Sequence, residues 1–344
     1  MYLDTPDFLS NALHFLTVLG VPLHIFGSYC ILFKTPKNMS TVKWTMFSLH
    51  FWCMSLDWSV TILTVPFLLF PAMAGYPLGV LTMLGVRTDL QVYLIVSLLF
   101  SDAAIVAIFE NRYFQIFARD QNWRRYRIPL LTINYVLSFT FFIPALVTVP
   151  EQGPALEEVY RLLPSLPSYV HELPIFVLAV DVKYVVIPID AMASLMTIES
   201  FTFVWLLYKN MSKISETSML SANTFKLQRK FLKAVYIQVD VYMLNIIIPL
   251  LVILASMLSN FYSQAANNLV FIFLACHGLS STIIMLWAHK PYRTFCGEIF
   301  RSDFLVGRSR FSVSIRPKRS IRDESYQRSV ANMTGEIHSI LPYF

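Results

Sequence analysis

Seven apolar runs alternate with polar stretches along the chain, at 10–33, 45–70, 90–111, 128–149, 184–208, 234–258 and 269–289. A hydrocarbon core about 30 Å thick takes about 20 helical residues to cross, and each of these runs is long enough. Two further apolar stretches are too short to span. The first, 77–86, covers ten residues, and the second, 175–180, is ended by Asp181 and Lys183. The pattern predicts an all-α fold, a bundle of seven transmembrane helices.

The polar stretches differ sharply in charge. Those at 34–44, 112–127 and 209–233 hold 14 Lys and Arg in 52 residues, whereas 1–9, 71–89, 150–183 and 259–268 hold 3 in 72. Basic residues close to the ends of a span stay on the cytoplasmic side. This places the N-terminus (1–9) outside, the bundle at 10–300 and a cytosolic tail at 301–344. The tail is rich in Ser and Arg and poor in large apolar residues, which predicts disorder. The Asn-x-Ser/Thr sequons at Asn38, Asn210 and Asn332 then face the cytosol and are expected to carry no sugar. The long acidic stretch 150–183 is either a cap over a pocket or a solvated tether.

Composition narrows the function classes. The chain is 56% hydrophobic and only 14% charged, with a mean hydropathy of +0.57, more apolar surface than a water-soluble core could hide. The net charge of +6 belongs to the cytosolic segments, so the expected partner is anionic membrane lipid and not nucleic acid. Cys30, Cys53 and Cys276 lie inside apolar runs and Cys296 just after the last. No disulfide on the outer side is expected, and no Cys/His spacing suits a metal. The N-terminal stretch lacks a basic region, so the first apolar run is expected to stay as a helix.

Ionisable residues inside the runs are the candidates for chemistry, because each costs about 2.5–3.5 kcal/mol at the bilayer centre on insertion scales. They are Asp57, Asp102, Asp190, Glu199, Asp240 and His277. Asp57, Asp102 and Asp240 are expected to form an interior polar network; the plain alternative is protonated or hydrogen-bonded packing residues. Tyr93, Asp190 and His277 are the candidates for lining a ligand pocket. No HExxH, GxSxG or P-loop motif occurs, so neither an enzyme nor a cofactor is expected. A ligand-gated channel or small-molecule transporter is the alternative to a receptor, although the paired broken helices typical of transporters are missing.

Short motifs at the ends of the runs carry a resemblance. Phe109-Glu110-Asn111-Arg112-Tyr113 closes the third run and His289-Lys290-Pro291-Tyr292-Arg293 follows the seventh. Thr64-Val65-Pro66-Phe67 and Phe70-Pro71 end the second, Thr224-Phe225-Lys226-Leu227-Gln228 precedes the sixth, and Gln238 and Pro249 lie within it. Together, over residues 10–300, these resemble the nematode serpentine chemoreceptors of class H. The resemblance implies a G-protein-coupled chemosensory receptor in the plasma membrane of a sensory neuron, at its cilium. A small-molecule ligand would bind in an outer pocket between helices, and a heterotrimeric G protein would bind inside. Asn111, Arg112, Tyr113, Lys226, Arg229, Lys230, Tyr292 and Arg293 are the coupling residues it implies. Cys296 is a candidate for palmitoylation. In the wider rhodopsin-like pattern an acid immediately precedes the arginine, but Asn111 stands there and the acid is Glu110. Residues two apart on a helix do not face each other, so the partner of Arg112 is expected on the sixth helix or the loop before it. The Asn-Pro-x-x-Tyr motif is also missing from the seventh run, and no interior sodium site at Asp57 is implied.

Overall fold

The computed structural model describes residues 2–100, 103–118, 122–217 and 222–299. The chain divides into two units, Met1–Cys296 and Gly297–Phe344. In the second only 297–299 are described, as helix, so the expected tail at 301–344 lies outside the described residues.

The first unit is a bundle of seven long helices. They are α1 (Pro6–Lys34), α2 (Ser40–Trp58, prolonged by a π-helical turn at Ser59–Thr64), α3 (Thr88–Ala118) and α4 (Trp123–Val147), α5 (Lys183–Thr217), α6 (Ala222–Ser259) and α7 (Gln264–Ala288). Six are long and apolar enough to cross a membrane; α2 falls outside that group. It is the more polar helix because His50, Asp57, Ser59, Thr61 and Thr64 are all buried on its inner side.

Helix ends follow local chemistry. Thr5 caps α1 by accepting from the Phe8 N–H at 3.2 Å, with Pro6 in the first turn, where its missing N–H costs nothing. Ser263 caps α7 in the same way. The second apolar run was expected to stay helical to residue 70, but α2 stops at Thr64. Val65 takes a left-handed conformation (φ 45°) and Pro66 has no N–H to continue the ladder. The chain turns instead into a strand. The basic stretch 209–233 is less loop than its charge suggested, since α5 runs on to Thr217 and α6 begins at Ala222.

Of the two short apolar stretches, 175–180 becomes a strand, while 77–86 holds a single short helical turn at Val80–Met83. β1 (Pro66–Leu68), β2 (Met73–Pro77) and β3 (Phe176–Ala179) form an antiparallel sheet in the order β1-β2-β3. It lies at the end of the bundle that carries the N-terminus, the N-terminal face. β3 comes from the long stretch 150–183, which is therefore a cap and not a tether. Its preceding helix, Gln152–Leu162, turns Ala155 and Val159 inward. Gln152 closes the open side of β3 as a strand would, donating to Val177 O at 3.1 Å and accepting from Val177 N at 2.9 Å. Gln152→Ala is expected to remove both bonds, costing about 2 kcal/mol at about 1 kcal/mol each. Limited proteolysis should then cut the 150–183 segment faster than in the parent chain; equal rates would show that the bonds hold nothing.

Candidate functional site

Three constellations occupy three levels of the bundle. The deepest joins α1, α2 and α7 around Asp57. Its Oδ2 lies 3.1 Å from His24 Nε2, and its Oδ1 lies 2.8 Å from His277 Nδ1 and 3.2 Å from the Gly278 N–H. His24 Nδ1 in turn meets Thr282 Oγ1 at 3.0 Å. His24 and His277 are fully buried and Asp57 is 4% exposed. Around them His50 reaches the His24 carbonyl at 3.0 Å, and Gln238 of α6 donates to Ser281 at 3.4 Å.

The hydrogen bonds constrain where protons sit. Thr282 gives its one hydroxyl proton to Gly278 O at 2.8 Å, so His24 Nδ1 donates to Thr282. His277 Nδ1 faces both Leu274 O, at 3.0 Å, and Asp57, so it too carries hydrogen. A single proton is then shared across the contact between His24 Nε2 and Asp57 Oδ2. The backbone allows this packing only because residue 278 is glycine. A Cβ there would collide with the Asp57 carboxylate, and one at Gly27 would meet Thr282 Cγ2 at 2.8 Å.

Of the expected interior set, Asp57 is the centre. Asp240 does not join, because it lies on the exposed side of α6; Asp102 lies outside the described residues. His277, expected in a ligand pocket, belongs to this network instead. His24 and His50 were missed, although the same signal, an ionisable side chain inside an apolar run, marks them.

The second constellation is a cavity of about 400 Å³ at the N-terminal face, between the sheet and α3, α5 and α6. Phe70, Phe176 and Leu178 cap it, Ile95, Ile189 and Leu250 wall it, and Asp190 lines it. Tyr93 does not line it. That side chain turns to α4, where its hydroxyl donates to Phe139 O at 2.5 Å. Gln91, which was missed, does line it: its amide nitrogen bonds Thr82 and Val86 O, while its Oε1 is buried without a partner. Burial pushes the lining phenol of Tyr76 up, and Tyr169 adds to the shift, so Tyr76 stays a neutral hydroxyl.

The third lies at the opposite, basic face. Arg112 is 5% exposed, with its guanidinium 3.5 Å from the Phe231 ring centroid and its Nη1 3.4 Å from Gln228 Oε1. Phe231 packs on His289 at 5.3 Å, and His289 on Tyr292 at 5.7 Å. Tyr292, fully buried, bonds Thr35, the residue that follows α1, at 2.8 Å. One chain of contacts thus links α3, α6, the end of α7 and α1. Glu110 faces away from Arg112, as the two-residue spacing implied. Its fully buried carboxylate takes bonds from Trp123 Nε1 (2.8 Å) and Arg127 Nη2 (3.0 Å) of α4. Arg127 also donates to Asn111 Oδ1 at 3.2 Å. Tyr113 packs against Phe117 and Phe203. Lys226, Arg229 and Lys230 are exposed along the first turns of α6, Arg293 is exposed, and Cys296 is half-buried.

The chain and its seven-helix bundle have known counterparts. The family model described as "Serpentine type 7TM GPCR chemoreceptor Srh" matches residues 4–302. The chain belongs to that family. Within it, the chain is similar to "Serpentine receptor class H-72" of Caenorhabditis elegans, 27% identical over 310 residues and covering 87% of each. Its fold is similar to that in the crystal structure of squid rhodopsin, with a TM-score of 0.50 at 11% identity over 97% of this chain and 91% of that one. A serpentine receptor is thus a multi-pass membrane protein whose helices are the seven above. The family is one of receptors, and among the described residues no group of three His, Cys, Asp or Glu is placed to hold a metal ion.

Proposed function

We propose that this serpentine receptor binds a small-molecule chemical signal in the cavity at its N-terminal face and activates a heterotrimeric G protein at its basic face. The observation that carries the reading is the arginine latch. A buried guanidinium held by one aromatic ring and one amide is a contact that α6 can leave at modest cost, which gives the bundle two arrangements. A ligand that fits the cavity better in one of them shifts the population by its differential affinity. The cavity touches α3, α5 and α6, and α3 and α6 also form the latch.

The charge distribution supports the orientation. With 14 basic residues in the stretches at one face, that face is cytosolic and the N-terminus extracellular in the plasma membrane. Exposed Lys226, Arg229 and Lys230 suit both anionic lipid headgroups and an acidic G-protein surface. The seven-helix domain spans 10–300, between an extracellular 1–9 and a cytosolic 301–344. Cys296, beside the membrane, is a site for palmitoylation, and the sensory cilium is the expected location.

The test is a chemical screen of the full chain in cells carrying a promiscuous G-protein reporter, with an N-terminal epitope stained without permeabilisation. Surface staining and a ligand response that disappears when the Gα subunit is removed are expected. An N-terminus found inside, or a ligand-gated current that persists without G protein, would replace the reading with a channel.

A further inference from the structure

We infer that the cavity takes a compact, uncharged, hydrocarbon-like molecule and holds it by shape, without a hydrogen bond. This deepens the receptor reading and rests on it for the cavity's role. Among the described lining residues only Thr64, Tyr76, Thr88, Gln91 and Asp190 carry a polar side-chain atom. None of the five offers a guest a buried partner. Thr64 already donates its hydroxyl to Ser59 O at 2.6 Å. The Gln91 amide nitrogen bonds Thr82 and Val86 O, and its Oε1, like the Tyr76 hydroxyl, is covered by protein on all sides. Tyr76 also stands opposite Phe67 in the sheet, with the two rings 5.1 Å apart. Residues directly opposite share one face of a sheet, and Phe67 does not line the cavity. Asp190 is exposed and Thr88 half-buried, so both meet the cavity at its rim.

The backbone above the cavity adds little. β2 pairs with a strand on each side, and the lining residues Pro66 and Pro77 have no N–H. What remains is a dry apolar wall of residues such as Ile95, Phe142, Ile189 and Leu250. A void lined by Leu, Ile and Phe stays free of water and takes an apolar guest, because the guest supplies the dispersion contacts that the void forfeits. A hydroxyl would leave its water or headgroup partners on entry and find none, which weakens binding by about tenfold or more. A charge would be excluded more strongly still.

Size and access point the same way. A cavity of about 400 Å³ is at the small end of the range of about 300–1,000 Å³ for ligand pockets, so the guest is compact. The sheet lies across its N-terminal side, where Phe70, Phe176 and Leu178 cap it. Ile247, Leu251 and Leu254 of α6 line the cavity and are also 45%, 58% and 44% exposed. The cavity is thus open along the seam between α5 and α6. That seam faces the hydrocarbon layer, where apolar molecules gather out of water.

The test uses the purified full chain in lipid nanodiscs and four probes of one shape: pentylbenzene, phenylbutanol, phenylbutylamine and phenylbutanoic acid. Binding is read as the shift of the thermal unfolding midpoint against each probe's mole fraction in the lipid, so that unequal partitioning into the bilayer cancels. Ala193 lines the cavity from α5, and Ala193→Phe would fill it; the shift in this variant measures what each probe does to the bilayer alone. Pentylbenzene is expected to bind at least about tenfold tighter than phenylbutanol, the amine and the acid not at all. The pentylbenzene shift is expected to vanish in Ala193→Phe. If that variant does not yield folded protein, Ile189→Trp fills the same space, and failing both, the order of the four probes on the parent chain decides. Phenylbutanol or phenylbutylamine binding as tightly as pentylbenzene would overturn the inference. So would a pentylbenzene shift that persists in the filled cavity, or no shift with any probe, the result expected if a lipid chain holds the cavity. Pentylbenzene that binds in nanodiscs yet leaves G-protein signalling in cells unchanged would leave the ligand class standing and count against the receptor reading alone.

Discussion

Asp57→Ala is expected to destabilise the bundle by about 3–5 kcal/mol, the cost of removing one partner from a buried ionic contact. The carboxylate joins α1, α2 and α7 through both of its oxygens, by way of His24 and by way of His277 and the Gly278 N–H. Without it two fully buried imidazoles and a backbone N–H face an apolar void. The nearly isosteric Asp57→Asn separates charge from geometry. Its Oδ1 can still accept from His277 and Gly278, and its amide can donate to His24 Nε2, so it should lose only about 1 kcal/mol. Gly278→Ala tests the same centre from α7, because its methyl group would occupy the space of the carboxylate. The measurement is the thermal unfolding midpoint of the purified chain, with surface expression in cells as a second readout. The expected order is Asp57→Asn close to the parent, then Asp57→Ala and Gly278→Ala both far below it. Asp57→Ala as stable as the parent would show that the contact holds little, and a fall in Asp57→Asn as large as that expected of Asp57→Ala would make the charge itself essential.

How much of this was legible in the chain depends on which physics set each feature. Membrane helices announce themselves because lipid demands an unbroken apolar run, and six of the seven met that demand on hydropathy alone. α2 was found by length, but its end was misplaced: apolar residues 65–70 continue the run, while the left-handed turn at Val65 and Pro66 obey backbone sterics that hydropathy does not see. The sheet was hidden for a related reason. Its strands are three to five residues long and pair across the chain, so 175–180 carries no local sign of it. In the site, the orientation of Glu110 away from Arg112 followed from helical geometry. Its real partners, Trp123 and Arg127, lie on α4, and no local spacing names them. Asp190 was selected because a carboxyl inside a span needs a reason. His24 has the same standing and was passed over, since a histidine in an apolar run looks less anomalous than an acid. Asp240 shows the opposite failure: its place in the run suggested the interior, but only the phase of α6 against its neighbours decides which side faces lipid.

Phe231→Ala is expected to raise signalling in the absence of ligand, while Arg112→Ala abolishes the ligand response although the protein still reaches the surface. Both follow from the same contact. The Arg112 guanidinium rests 3.5 Å from the centre of the Phe231 ring, and a desolvated cation–π contact contributes about 2 kcal/mol. If α6 gives up that contact when it moves outward, deleting the ring removes about 2 kcal/mol from the resting arrangement only. At about 1.4 kcal/mol per factor of ten, that is roughly a 30-fold shift towards the open form. An open fraction of about 1%, within the usual range for a minor state, becomes about a quarter. Gln228→Ala removes only a 3.4 Å bond and should raise the basal signal far less. Arg112→Ala releases the same latch, but it also removes the cation proposed to meet the G protein, so its basal and evoked signals are both expected to be lost. Phe231→Leu keeps apolar bulk against His289 and Tyr292 while losing the π face, and should behave like Phe231→Ala if the ring's charge distribution matters. The readout is G-protein activation per receptor at the surface, with and without ligand. A silent Phe231→Ala of normal abundance would show that the contact is the same in both arrangements and holds nothing closed. Full signalling by Arg112→Ala would remove Arg112 from the coupling surface and leave it a packing residue of α3.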